Sequence, residues 1–148
     1  MPKNPPENTP RVTPYLYYQD VAAALRFLSD AFGFREKLRM PGPDGAIAHA
    51  EMTIGDGLVM MGCPAKDYKN PKRLGATTQS LYVYVDDVDA HCARAKTAGA
   101  KIIDEPEDQF YGDRNYLVHD PEGHEWYFGT HVRDMSEDEM QSAGVATN

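Results

Sequence analysis

Residues 111–129 read YGDRNYLVHDPEGHEWYFG. The segment divides into a strand, a tight turn and a second strand. Asn115, Tyr116, Leu117, Val118 and His119 alternate polar with apolar, as a strand with two unlike faces does. In Asp120-Pro121-Glu122-Gly123, Pro121 pre-sets φ for the second turn position, and Gly123 accepts a positive φ with no Cβ to clash. Glu125, Trp126, Tyr127 and Phe128 form an aromatic return strand. Trp126 and Phe128 share one parity and are expected under a helix; Tyr127 faces the other way.

Around this hairpin lies a chain of 148 residues, the length of one domain with a single core or of two half-domains sharing it. A formal charge of -8 leaves no basic face to follow phosphates, which argues against nucleic acid as a partner. No run of ~18 apolar residues is present, so no membrane-spanning helix is expected. Residues 1–11, MPKNPPENTPR, are Pro-rich, lack the apolar stretch of a signal peptide and suggest a flexible arm. Cys63 and Cys92 have neither CxxC nor metal-ligand spacing, which suits reduced thiols and a cytoplasmic protein.

After the arm, residues 12–19 predict a strand, with Thr13, Tyr15 and Tyr17 on one face and Pro14, Leu16 and Tyr18 on the other. Pro14 places its start at a sheet edge. Asp20 is a helix cap, and Val21, Leu25, Leu28 and Phe32 form one buried stripe of a helix over 21–32. Gly33 suits the left-handed position after the helix, with Phe34 as its apolar contact. Strands follow at 35–40, 46–54 and 58–62. Residues 63–78 carry no period and predict a connecting loop. The pattern then restarts: a strand at 80–85, a helix capped by Asp86 or Asp87 with Val88, Cys92, Ala95 and Gly99 on its stripe, a strand at 101–104, and the hairpin. The order βαβββ recurs at an offset of 66 to 67, matching Gly33 with Gly99, Gly57 with Gly123, and Gly62 with Phe128. The chain thus divides into an arm (1–11), a first module (12–62), a loop (63–78), a second module (79–132) and a tail (133–148). In the tail, Ser136-Glu-Asp-Glu has the capping-box pattern of a short helix that packs, with Met135 and Met140, on the body or a second subunit.

The string DPEGHEWYF at 120–128, with the repeated βαβββ order over 13–132, resembles the vicinal oxygen chelate superfamily of glyoxalases, bleomycin-resistance proteins and extradiol dioxygenases. The resemblance implies an α+β fold: two βαβββ modules forming a mixed eight-stranded curved sheet around a cavity, with helices on the outer face. It also implies a homodimer. In metal-using members, His and Glu ligands come from the starts of the first strands and the ends of the last. Those positions fall here on Thr13, Ser80, Met61 and Tyr127. A hard divalent ion takes carboxylate or imidazole ligands, so no metal and no cofactor are expected.

Parity from those positions places Tyr15, Tyr17, Tyr82, Tyr84 and Tyr127 on the cavity face, a lining for a small aromatic or amphipathic molecule. Their alternative role is as ordinary sheet formers packed on each other. His49 and Glu51, opposite Ala48, Ala50 and Met52, and Asn115 and His119 in the second module, are expected on the same face. They would serve as ligand hydrogen-bonders, as an acid/base pair, or as a plain polar strand face. His91, His124 and His131 are expected at the surface, and Arg114 in a salt bridge or on an anionic ligand. Cys92 reads as a small buried hydrophobe. The function this implies is metal-free binding of a small molecule, with a sequestration or resistance role. The alternative is a metal-dependent lyase, isomerase or dioxygenase with an atypical site drawn from His49, Glu51 and His119.

Overall fold

The computed structural model describes residues 1–147. Its contacts divide the chain into two units, one ending at Ala76 and one beginning at Thr77. Each holds one mixed four-stranded sheet, so the eight expected strands are hydrogen-bonded as two sheets of four.

In the first unit the elements are β1 (Tyr15–Tyr17), α1 (Val21–Phe32), β2 (Arg35–Pro41), β3 (Ile47–Ile54), β4 (Gly57–Gly62) and the one-turn helix α2 (Pro71–Leu74). The sheet order is β1-β4-β3-β2, with β1 parallel to β4 and the other pairs antiparallel. Asp20 starts α1 because its carboxylate accepts from the Ala23 N–H at 3.0 Å. Gly33 ends it at φ 80°, where the Phe34 N–H bonds back to the Leu28 carbonyl at 3.1 Å. The stripe Val21, Leu25, Leu28 and Phe32 is buried with Leu16, Ala50, Met52, Val59 and Met61 of the sheet. Each fully buried Leu or Phe contributes about 1.5–3 kcal/mol. α2 lies inside the stretch expected as loop. Pro71 stands in its first turn, and the Asn70 side chain caps it by accepting from the Arg73 N–H at 3.0 Å. A single turn is too short to show a period.

The second unit holds β5 (Ser80–Tyr84), α3 (Val88–Thr97), β6 (Lys101–Asp108), β7 (Asp113–His119), β8 (Glu125–His131) and α4 (Glu137–Thr147). Its order is β5-β8-β7-β6, with β5 parallel to β8. Of the two candidate caps, Asp87 serves α3, accepting from the Ala90 N–H at 3.1 Å. Val88, Cys92 and Ala95 are buried on its inner side. The opening hairpin is fixed from within by Asp120, which is 4% exposed. One of its oxygens accepts from the Glu122 and His124 N–H groups, and the other from the Trp126 indole at 3.1 Å. Trp126 and Phe128 are buried, rings stacked, 6.0 Å between centroids. The capping box of α4 is formed on both sides, with the Glu139 N–H on the Ser136 hydroxyl and the Ser136 N–H on the Glu139 carboxylate.

Several details differ from the sequence expectations. β6 runs four residues past the expected 104, as far as Asp108, with register breaks between Ile102 and Asp104 and between Asp104 and Glu107 that a straight-strand reading cannot foresee. His91 is no surface group: its ring lies 4.2 Å from that of Phe128, and its Nδ1 is 2.7 Å from the Tyr116 hydroxyl. His91 is half-buried, and His124 is buried, drawn in by its backbone bond to Asp120. Gly62 corresponds to Gly129 rather than to Phe128, since Tyr17 pairs with Gly62 as Tyr84 pairs with Gly129.

Candidate functional site

In each sheet the residues of one parity lie under the helix, and those of the other form a face without a helix. On the first unit's open face, Tyr15 and Tyr17 from β1 stand beside Met60 of β4 and His49 and Glu51 of β3. The Tyr15 and Tyr17 rings meet edge to face at 5.8 Å. His49 lies between two partners: its Nδ1 is 2.9 Å from the Tyr15 hydroxyl and its Nε2 is 2.8 Å from Glu51. A carboxylate accepts only, so Nε2 carries the proton. In neutral His49, Nδ1 is then the acceptor for the Tyr15 O–H. Lys37 Nζ also reaches Glu51, at 3.7 Å. Burial, with Tyr17 and Glu51 adding, raises the Tyr15 pKa, so the hydroxyl keeps its proton. Leu38 and Met40, the cross-strand partners of Glu51 and His49, extend the exposed apolar area.

The second unit's open face is built around a carboxylate that sequence reading passed over. Asp113, 4% exposed, accepts from the Tyr82 and Tyr84 hydroxyls at 2.7 and 2.9 Å through Oδ2. Its Oδ1 is 2.8 Å from His131 Nδ1, and His131 Nε2 is 2.7 Å from Asp134. Both ring nitrogens of His131 therefore face carboxylates. Burial pushes the Asp113 pKa up, but hydrogen bonds from Tyr82, His131 and Tyr84 outweigh it and leave the net value lowered. The His131 pKa is raised, first by Asp134 and then by Asp113. That of Tyr82 is raised mainly by burial, and that of Tyr84 mainly by its bond to Asp113. Asn115 completes the network, donating to Tyr82 at 3.0 Å and to Tyr111 at 2.7 Å while accepting from Gln109 at 3.2 Å. The Tyr127 ring lies nearly parallel to that of Tyr82, at 5.9 Å and 17°.

Of the residues singled out from sequence, Tyr15, Tyr17, His49 and Glu51 come together in the first unit, and Tyr82, Tyr84, Asn115 and Tyr127 in the second. His119 pairs instead with Glu125 at 3.2 Å, at the other end of β7. Arg114 is ion-paired with Asp89 and Asp108. Asp113 and His131 were missed, although the alternation that marks Asn115 continues back to Asp113. His131 was set down as a surface group. At 48% side-chain exposure it is half outside, yet it is held by two acids.

The four positions that the resemblance marks for metal ligands do not suit a hard cation here. Thr13 precedes β1 and bonds the Pro10 carbonyl. Met61 is fully buried under α1 and is not on the open face, because β4 begins at Gly57 itself whereas β8 begins two residues after Gly123. Counting four from each turn glycine thus slips by one, and Met60 is the counterpart of Tyr127. The set is two aliphatic hydroxyls, a phenol and a thioether, against the carboxylates and imidazoles such ions require. Among the described residues no group of three or more His, Cys, Asp or Glu side chains is placed to hold a metal.

The family described as the Glyoxalase/Bleomycin resistance protein/Dioxygenase superfamily matches residues 10–128. The uncharacterized protein Rv0887c of Mycobacterium tuberculosis is 40% identical over 140 residues, covering 90% of this chain and 82% of that one. The crystal structure of TioX from Micromonospora sp. ML1 is similar at 38% identity and a TM-score of 0.69, over 84% of this chain and all of that one. Lactoylglutathione lyase from Agrobacterium tumefaciens is similar at 25% identity and a TM-score of 0.60, over 85% and 95% of the two chains.

Proposed function

The chain belongs to the glyoxalase/bleomycin-resistance/dioxygenase superfamily, and from that premise we propose that it binds a small planar aromatic or amphipathic molecule without a metal, in a sequestration or resistance role. The observation that carries this is the set of exposed tyrosines on the open faces, three of them anchored by their hydroxyls. Tyr15, Tyr17, Tyr82 and Tyr84 are all at least 41% exposed, although a tyrosine ring carries a large apolar area. The hydroxyls of Tyr15, Tyr82 and Tyr84 are tied to His49 and Asp113, and the Tyr17 ring packs edge to face on Tyr15, so the rings are pre-positioned and less rotamer entropy is lost on stacking a ligand.

On the first unit's face His49 and Glu51 orient a bound molecule; on the second unit's face Asn115 does so and Tyr127 adds a further ring. The protein acts as a homodimer in the cytoplasm, with the small molecule as its partner. No helix among the described residues is long and apolar enough to cross a membrane.

Isothermal titration and thermal shift against planar aromatic compounds test the proposal. Saturable binding is expected, weakened roughly three- to tenfold by Tyr82→Ala or Tyr84→Ala, the worth of one aromatic contact. Absence of any melting shift across the panel overturns it. Stoichiometric zinc, nickel, manganese or iron in protein purified without chelators, lost in His49→Ala, would put the metal-dependent alternative in its place.

A further inference from the structure

We infer that the second unit's open face selects aromatic molecules that present an N–H or O–H donor at their edge, with the Tyr84 oxygen as the acceptor that reads it. This rests on the reading of that face as an aromatic-ligand site, and it specifies the ligand class.

The argument is one of hydrogen-bond direction. A carboxylate has no proton to give, so every group bonded to Asp113 must donate to it. Tyr82 and Tyr84 both reach Oδ2, and His131 reaches Oδ1. A phenol has a single hydrogen. Each of these two tyrosines has therefore committed its only proton inward and turned lone pairs toward the open face. At Tyr82 that acceptor side is taken, because Asn115 Nδ2 donates to it at 3.0 Å. At Tyr84 no donor among the described residues is placed to fill it, and the residue is 61% exposed. The orientation is locked: Asp113 stays ionised, and Tyr84 keeps its proton on that bond.

An acceptor-only edge brought to Tyr84 would set lone pair against lone pair above a buried carboxylate. A donor edge would complete a chain running from ligand through Tyr84 to Asp113, in which each bond polarises the next. The overall charge of -8 acts the same way, disfavouring anionic aromatics.

The test uses 2-naphthol, 2-methoxynaphthalene and 2-naphthoate, which share a ring system and differ at the edge. Chemical-shift titration of isotope-labelled full-length protein gives the three affinities. 2-Naphthol is expected to bind roughly three- to tenfold more tightly than 2-methoxynaphthalene, the worth of one hydrogen bond, with 2-naphthoate weakest. Tyr84→Phe, which removes an exposed hydroxyl, should bring the naphthol-to-methoxynaphthalene ratio to about one. Asp113→Asn should lower the same ratio, since its amide donates and frees a tyrosine proton to point outward; a melting curve checks that this variant is folded. Equal binding of the first two by the wild type, or a ratio unchanged in Tyr84→Phe, overturns the selection and leaves the stacking reading standing. Failure of all three compounds to bind overturns both.

Discussion

The two units present the same aromatic pair in the same register and anchor it by different chemistry. Tyr15 and Tyr82 each lie over a glycine, Gly62 and Gly129, where an added Cβ would come 2.8 Å from the hydroxyl. In the first unit the anchor is a relay from Tyr15 through the His49 ring to Glu51. In the second it is the buried Asp113, with Asn115 standing where the first unit has His49: His49 adjoins the Ala50–Met61 pair as Asn115 adjoins Tyr116–Phe128. The first anchor has at its centre an imidazole, whose nitrogens donate or accept according to the tautomer, so its sense can reverse. The second has only acceptor oxygen at its centre and does not reverse. Duplication has thus kept the shape of the face and separated its hydrogen-bonding sense.

That contrast can be broken most forcefully at the carboxylates. Asp113→Ala strands three donors around a buried position and is expected to cost about 1–3 kcal/mol in chemical denaturation. Glu51→Ala removes a carboxylate that is more exposed, 13% against 5%, and bound by fewer groups, and should cost less than about 1 kcal/mol. Equal losses would erase the distinction.

Next come the two glycines. Gly129→Ala should cost about 1–2 kcal/mol through overpacking, because Tyr82 is held by both Asp113 and Asn115 and cannot swing clear. Gly62→Ala should cost less, since the Tyr15 hydroxyl has one tether, to His49, where Tyr82 has two. Thermal melts of the two variants measure the difference.

The pH dependence is smaller and has a defined sign. His131 has its pKa raised on folding, so its contribution is complete below the ordinary value of 6.5 and is lost as pH rises through the folded value. Asp113 has its pKa lowered, so its contribution is complete above 3.8 and is lost as pH falls through the folded value. The Asp113–His131 pair should therefore stabilise most between 3.8 and 6.5. His131→Gln should flatten the alkaline side of a stability-versus-pH curve and leave the effect of Glu51→Ala unchanged. The smallest effect expected is that of Tyr15→Phe, below about 1 kcal/mol for one exposed hydrogen bond.

Much of the fold is legible in the chain because its signals are local. The α1 stripe, Gly33, the 120–123 turn and the Ser136 capping box each follow from residues within a few positions of one another. The candidate face is legible only in part. Tyrosine alternation marks Tyr15, Tyr17, Tyr82 and Tyr84, but no short-range pattern links Asp113 to tyrosines about thirty residues earlier or to His131. The slip at Met61 has the same origin, since a turn glycine does not reveal where pairing resumes. His91 looks like a surface group on a polar helix side until Phe128 and Tyr116 are seen beside it.

By itself the sequence determined the duplicated βαβββ order, the helix caps, the turns and the parity of the aromatic strands, because these depend on φ preferences and on periods of 3.6 and 2. Tertiary structure alone decided which acceptor each tyrosine hydroxyl meets, and so which way its proton points. Hydrogen-bond direction is set by partners that strand pairing brings together from distant parts of the chain.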